Sequence, residues 1–353
     1  MRRVLVVGGC GFVGSSVALA LSERRRDWQL IAFDNLRRRG SELNLRRLRE
    51  AGVQFVHGDV RENEDLRALE PVDAILECSA EPSVLAGYGS NPDYAVRTNL
   101  LGAFHCLELA RRDQAQFVFL STSRVYPIGP LLELRLRTDE SRFELEEEQP
   151  IQGASDRGIS ERFPLEGARS IYGATKLSAE LLINEYADAY GLETVIDRCG
   201  VIAGPWQMGK VDQGVFTHWV LSHLFGRELS YIGFGGEGRQ VRDLLHVADL
   251  ADLLERQLSD PAQWATSVLN IGGGRPGSLS LRETTELCRE LTGRQVPVSA
   301  ELADRPADVP IYLSDCTELF ARTDWRPSRT PREILADIVT WASQHEGALR
   351  EAL

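Results

Sequence analysis

Apolar residues in the first part of the chain fall into two kinds of run. Residues 4–7, 30–33, 55–57, 74–76 and 117–120 are short and rich in β-branched or aromatic side chains, which predicts strands. Residues 16–24, 42–51, 65–69, 93–111 and 172–190 space their apolar positions as helices do. Strand and helix alternating at this interval predict an α/β fold with a doubly wound parallel sheet. Residues 194–198 and 268–271 predict two later strands. From Gly204 onward Gly, Pro and Trp recur irregularly around helix-like stretches at 217–225 and 331–346. These pieces predict a smaller, discontinuous C-terminal lobe. The expected division is 1–199 with a return segment at about 245–271, against 200–244 and 272–353.

One stretch breaks the alternation. Between Tyr126 and Tyr172 the chain is polar, with Glu144, Glu146, Glu147 and Glu148, then Gly153, Gly158 and Pro164. It is too long for a simple connection, so it is either a mobile lid or a surface insertion. No internal repeat or low-complexity tract is present.

Bulk properties narrow the function classes. With 353 residues, 43% hydrophobic and 26% charged, the chain is long enough and apolar enough for two lobes of an ordinary globule. A net charge of −12 argues against a general nucleic-acid or anionic-membrane surface, though a local basic pocket for a diphosphate remains open. The basic start Met1-Arg2-Arg3 precedes an apolar run too short for a signal peptide, and no stretch approaches bilayer length. The six cysteines (Cys10, Cys78, Cys106, Cys199, Cys288, Cys316) lack Cys-x-x-Cys spacing. Neither a disulfide framework nor a metal site is expected, and the chain reads as cytoplasmic, with no membrane or nucleic-acid partner.

Candidate chemistry lies at three places. Gly8-x-x-Gly11-x-x-Gly14 ends the first strand and opens a helix, with Phe12 and Val13 at the helix start. Glycines let backbone approach a pyrophosphate, whose charge rests on the helix N-terminus. Asp34 ends the second strand, where a carboxylate would hold an adenosine ribose and repel a 2′-phosphate, favouring NAD over NADP. Arg37-Arg38-Arg39 pull the other way, towards that phosphate, or form a solvated turn. Asp59 ends the third strand, within reach of the adenine. Ser121-Thr122-Ser123-Arg124 follows the fifth strand, at the edge where such sheets bind ligands. Tyr172 and Lys176 share one helix face, so the ammonium favours phenolate and suits the tyrosine to moving a proton beside a hydride transfer.

Taken together, these motifs resemble the extended short-chain dehydrogenases/reductases, a Rossmann-fold family, in their nucleotide-sugar epimerase branch. The resemblance spans nearly the whole chain. It implies NAD as cofactor, a nucleotide-diphosphate sugar as substrate and a homodimer built from helices 93–111 and 172–190, with Leu100, Phe104, Leu177 and Leu181 in contact. Thr122, Tyr172 and Lys176 are its catalytic group, and Asn35, Val60, Ser79 and Asn99 join Gly8, Gly11, Phe12, Val13, Asp34, Asp59 and Lys176 around the cofactor. On the substrate side it implies Thr122, Arg124, Gln213, Arg242 and Arg305. For the two latter arginines, structural ion pairs with Asp243 or Asp308 are the alternative to a diphosphate clamp. Relatives that eliminate water or decarboxylate carry an acid where Arg124 stands, so the slot favours epimerisation. Asp212-Gln213-Gly214 and Gln240-Val241-Arg242-Asp243 resemble the CDP-paratose 2-epimerase subgroup in particular. Glu77-Cys78-Ser79-Ala80-Glu81 departs from it, since relatives commonly carry His-Leu-Ala-Gly-Gln there. Net dehydrogenase or reductase activity, C4 epimerisation and a non-catalytic NAD-binding scaffold are the alternatives.

Overall fold

The computed structural model describes residues 1–209 and 213–352. The chain forms two compact units. Met1–Val125, Ile171–Arg198 and Leu250–Leu269 make the first, and Tyr126–Ser170, Cys199–Asp249 and Asn270–Leu353 the second.

The first unit is built on a seven-stranded sheet. Its strands are β1 (Arg2–Val7), β2 (Trp28–Asp34), β3 (Gln54–His57), β4 (Ala74–Glu77), β5 (Gln116–Thr122), β6 (Thr194–Cys199) and β7 (Ser267–Ile271), in the order β7-β6-β5-β4-β1-β2-β3. β1 pairs in parallel with both β2 and β4, β2 with β3, and β4 with β5. The chain winds outward from β1 through β2 and β3, then returns to β4 on β1's other side. That reversal leaves a crevice at the carboxyl ends of β1 and β4. Val4, Leu5, Val6 and Val7 are fully buried, and so is every residue of β5, because helices cover both faces. This is why residues 4–7 and 117–120 read as unbroken apolar runs. Leu5, Ile31, Phe33, Ile75, Phe117 and Phe119 pack with Leu107, Ala110, Ala179 and Ile183 from the covering helices.

Helix boundaries differ from the expected ones where the backbone does special work. The first helix, α1 (Phe12–Arg24), begins directly on the glycine turn. Residues 42–51 split into a 3-10 turn, Ser41–Leu43, and α2 (Asn44–Glu50). The expected helix at 93–111 is interrupted. A short α-turn, Asp93–Val96, leads into one wider π-turn, Arg97–Leu101, before α3 (Gly102–Asp113). The last of the set, α4 (Ile171–Tyr190), is continuous.

The segment 126–170 is neither a free lid nor a surface insertion. It holds a helix (Ile128–Leu132) and two antiparallel hairpins, Leu136–Thr138 with Phe143–Leu145 and Ala154–Ser155 with Gly158–Ile159. Its backbone is tied into the second unit: Phe143 donates to Arg239 O (3.0 Å) and Ile159 to Leu313 O (2.8 Å). Arg142 Nη2 donates to Ser278 Oγ at 2.6 Å. With this segment included, the second unit is comparable in extent to the first rather than smaller. Its centre is strand Val241–His246, parallel to Val201–Ala203 and Ile311–Tyr312 and antiparallel to Ser278–Ser280. Helix Val215–Phe225 packs against Leu281–Thr292 and Pro331–Gln344, each of which starts on a capping box.

Candidate functional site

At the carboxyl end of β1 the glycine turn is shaped by its neighbours. The N–H groups of Gly8 and Gly9 both donate to Phe33 O, at 2.9 and 3.1 Å, so the turn folds over the end of β2. Gly8 has φ +72, and a Cβ there would lie 2.9 Å from the Ser79 backbone. A Cβ on Gly14 would meet Gly8 O at 2.3 Å, which ties the helix to the turn. α1 follows with Gly11 at its N-cap, no side-chain cap and no acid in its first turn. The N–H groups of its opening residues, Phe12 and Val13, therefore suit an anion such as a pyrophosphate.

Asp34 closes β2 and braces the same turn. Its Oδ2 accepts the Cys10 N–H (3.0 Å) and its Oδ1 the Leu36 N–H (2.8 Å). Burial pushes its carboxyl up from the ordinary value, and these backbone donors oppose that shift. Asn35 Nδ2 donates to Asp59 Oδ2 at 2.9 Å, and Arg61 forks onto Asp59 at 2.9 and 2.6 Å. Burial alone would raise the Asp59 carboxyl, but Arg61 and Asn35 outweigh it and hold Asp59 well below the usual carboxylate range. Val60 is buried, and its carbonyl lies 2.7 Å from His105 Nδ1. Of the three-arginine run, Arg37 lies over the Tyr94 ring at 4.2 Å, with Arg61 over the same ring at 5.0 Å.

The residues expected to move the proton lie on α4 and β5. Tyr172 and Lys176 lie one turn apart on the buried face of α4, 9% and 2% exposed. Thr122 is the last residue of β5, and its Oγ1 accepts the Arg124 N–H at 3.1 Å. The 3-10 turn Ser123–Val125 packs on α4, so Thr122 and Arg124 arrive beside the Tyr172 helix. Ser121 is committed elsewhere. Its hydroxyl donates to Glu180, which also receives the Arg198 guanidinium at 2.7 Å through Nη2 and 3.1 Å through Nε. Thr122 is thus distinguished from Ser121 by geometry.

Asn99 sits in the π-turn and uses all its amide. Oδ1 accepts the Glu81 N–H (2.7 Å), while Nδ2 donates to Glu81 O and to Thr175 Oγ1 (both 3.1 Å). It fastens the segment after β4 to α4. Ser79 donates its hydroxyl and its N–H to Glu77 Oε1, the latter at 2.8 Å. Glu77 Oε2 stands 3.8 Å from Lys176 Nζ.

The residues expected on the substrate side that lie in the second unit have their own surroundings. Arg242 Nη2 donates to Asp308 Oδ1 and to Val309 O, each at 2.7 Å. Arg305 is half-buried, and its carbonyl accepts the Asp308 N–H at 3.3 Å. Gln213 is half-buried just before helix Val215–Phe225, and Asp212 lies outside the described residues. Asp243 bonds the N–H groups of Gly274 and Ser314.

Three participants are absent from the expected set: Glu77, Glu180 and Arg198. Glu180 carries a usable signal, since it is one turn beyond Lys176 on the face that carries Tyr172. Arg198 has none, because its partner is set by where β6 meets α4. No disulfide joins any of the six cysteines, five of which are buried. No helix of the described residues is long and apolar enough to cross a membrane.

Known proteins place this arrangement. The profile of the NAD dependent epimerase/dehydratase family matches residues 4–272. The CDP-paratose 2-epimerase of Salmonella typhi is 29% identical over 351 residues, covering 97% of this chain and 99% of its own. The UDP-glucose 4-epimerase of Halalkalibacterium halodurans is 28% identical, covering 97% and 96%. Among solved structures, the dTDP-glucose 4,6-dehydratase of Streptomyces venezuelae with NAD bound superposes with a TM-score of 0.80 at 26% identity over all of both chains. The glycine turn fits the pyrophosphate of that cofactor, and NAD is the cofactor of this chain. A match over three-quarters of its length, on a fold shared end to end, makes this chain an enzyme of the NAD dependent epimerase/dehydratase family.

Proposed function

We propose that the chain is an NAD-dependent nucleotide-sugar epimerase of the CDP-paratose 2-epimerase kind, working in the cytoplasm. It oxidises one ring carbon, lets the keto sugar turn over, and reduces it on the opposite face. NAD, when bound, supplies the hydride acceptor and donor. Tyr172 takes the proton of the reacting hydroxyl and later returns it, with Lys176 one turn along favouring the phenolate. The Thr122 hydroxyl bonds the same sugar oxygen. Gly8, Gly11, Phe12 and Val13 hold the pyrophosphate, Asp34 the adenosine ribose, and Asn35, Asp59, Val60, Ser79 and Asn99 the remaining wall, with Lys176 on the nicotinamide ribose.

Arg124 is the observation that carries the reading. Its backbone N–H donates to the Thr122 hydroxyl, which supports a place for this residue next to Thr122. A cation there cannot supply the proton transfers that elimination needs from an acid, and it has no carboxylate to offer. The test is a panel of CDP-, UDP- and dTDP-linked sugars incubated with the NAD-loaded protein and followed by NMR at every ring carbon. Inversion at one carbon, at C2 for CDP-paratose, with no lasting NADH absorbance is expected. Loss of water from the sugar would make the protein a dehydratase, and a stoichiometric rise in NADH would make it a dehydrogenase.

Arg242 and Arg305 are assigned to the substrate diphosphate, with Gln213 as a further substrate contact. Bidentate guanidinium–phosphate bonds suit that role. Arg242→Ala should weaken competition by free CDP without lowering the melting temperature. A lowered melting temperature with unchanged competition would assign Arg242 to its Asp308 pair.

A further inference from the structure

The Lys176 ammonium is enclosed on two sides by groups that no nucleotide or sugar contributes. Glu77 is the last residue of β4, in register with Val7 of β1 and Phe119 of β5 at the reversal of the sheet. Its carboxylate is 3.8 Å from Lys176 Nζ, and both side chains are 2% exposed. The Phe119 ring centroid is 3.9 Å from the same nitrogen. Ser79 fixes Glu77 Oε1 from the other side with its hydroxyl and its N–H. The pair is therefore held by the fold, with both polar ends of Glu77 engaged.

We propose that Glu77 is an electrostatic positioning residue: it anchors the Lys176 ammonium at the end of β4 and offsets part of its charge, and so sets the pH at which Tyr172 works. This rests on Tyr172 being the acid/base group. A lone buried ammonium one turn from a phenol favours the phenolate strongly. A carboxylate on the far side of that ammonium partly cancels its field, so Tyr172 keeps its proton to higher pH than a Tyr-x-x-x-Lys pair alone would dictate. Burial raises the Glu77 carboxyl, while Lys176 and Ser79 pull it back towards the charged form. The other titratable groups facing the pair are Cys78 from the end of β4 and Cys106 from α3, both thiols pushed up well above their ordinary value by burial. Glu180, further along α4, is occupied by Arg198. Glu77 is thus a buried carboxylate within ion-pair distance of Lys176.

The experiment reads Tyr172 directly and needs no sugar. Tyrosinate ultraviolet absorbance of the NAD-loaded protein is followed against pH in the parent and in Tyr172→Phe, and the difference curve isolates one of the eight tyrosines. The same subtraction is made in a Glu77→Gln background, which keeps an oxygen for Ser79. The Tyr172 midpoint should fall by about one pH unit in Glu77→Gln, the scale of a removed neighbouring charge. An unchanged or raised midpoint in a folded variant overturns the proposal. Should Glu77→Gln fail to fold, Ser79→Ala, which loosens Glu77 and favours its neutral form, should move the midpoint the same way by less, and no movement there is equally fatal. Normal turnover by Tyr172→Phe would instead remove the tyrosine from the mechanism, a failure visible without any titration.

Discussion

Tyr172 is the proposed acid/base residue, and its replacement separates proton transfer from binding. Tyr172→Phe should lower turnover on the sugar identified by the panel by roughly 10²–10⁴-fold, the usual loss for a removed acid/base group, while NAD stays bound. Turnover close to the parent's would refute the assignment. A second residue, remote from this chemistry, makes a prediction about stability. Asp197 on β6 is fully buried, its Oδ1 accepting from Gln257 Nε2 at 2.9 Å, and burial pushes its carboxyl up to about 7. In the unfolded chain the same group titrates near ~3.9. Between those values the folded state binds the extra proton, so this group's contribution to stability is fully present below about pH 4 and is lost as pH rises towards 7. Asp197→Asn keeps the acceptor and loses the titration. Its melting temperature should therefore fall less between pH 5 and pH 8 than the parent's, and parallel curves would disprove the link. Which of these residues sequence could reveal follows from their spacing. Tyr172 and Lys176 are legible because helical geometry alone puts them on one face. Glu77 is legible only as an oddity, an acid ending an apolar strand, because its partner comes from α4, far along the chain. Asp197 sits in a strand whose burial on every residue depends on helices that sequence cannot dock.

At the scale of elements, the alternation of strand and helix carries the parallel sheet, and the glycine spacing carries the turn after β1. Helix 93–111 does not follow from periodicity, because one buried amide reshapes it. A π-turn adds a residue to the helical ring and re-aims a side chain, a frequent device at functional sites. Here it delivers Asn99 to Glu81 and Thr175 together. Asn99→Ala would strand the Glu81 N–H and carbonyl without partners, at a cost of about 1–3 kcal/mol. It should also weaken NAD binding, since Glu81 follows the strand that walls the crevice. Urea denaturation and calorimetry with NAD measure the two effects, and a variant unchanged in both would show the π-turn to be idle. The segment 126–170 is legible as unusual but not as structural. Its anchors are Arg239, Ser278 and Leu313, and a polar hairpin held by distant backbone looks in sequence like any exposed loop.

For the whole molecule, the surface of α3 and α4 bears on assembly. Leu181 is 61% exposed on α4 and Tyr190 is exposed at its end; Leu101 is exposed and Leu100 half-buried in the π-turn before α3, while Phe104 of α3 and Leu177 of α4 are half-buried. Apolar side chains left on paired helices fit a helix-on-helix contact with a second copy. Light scattering should give twice the chain mass at micromolar concentration, and Leu181→Glu should return it towards the monomer. A parent that is monomeric across a wide concentration range would end the idea. The excess of negative charge on the chain makes such a contact dependent on its apolar centre rather than on attraction between surfaces.

The interleaving of the two units along the chain has a bearing on synthesis. Six segments alternate between the units, and the last piece of the first unit, Leu250–Leu269, precedes only the final stretch of the second. A ribosome that has made two-thirds of this protein has therefore completed neither unit. Until β7 emerges, β6 is an open sheet edge, able to pair with any neighbouring nascent strand. Chains stopped before residue 250 should accumulate as aggregates rather than as a free cofactor-binding fragment. An enzyme wired this way cannot be trimmed to its dinucleotide half, and a gene-fragment screen would recover it whole or not at all.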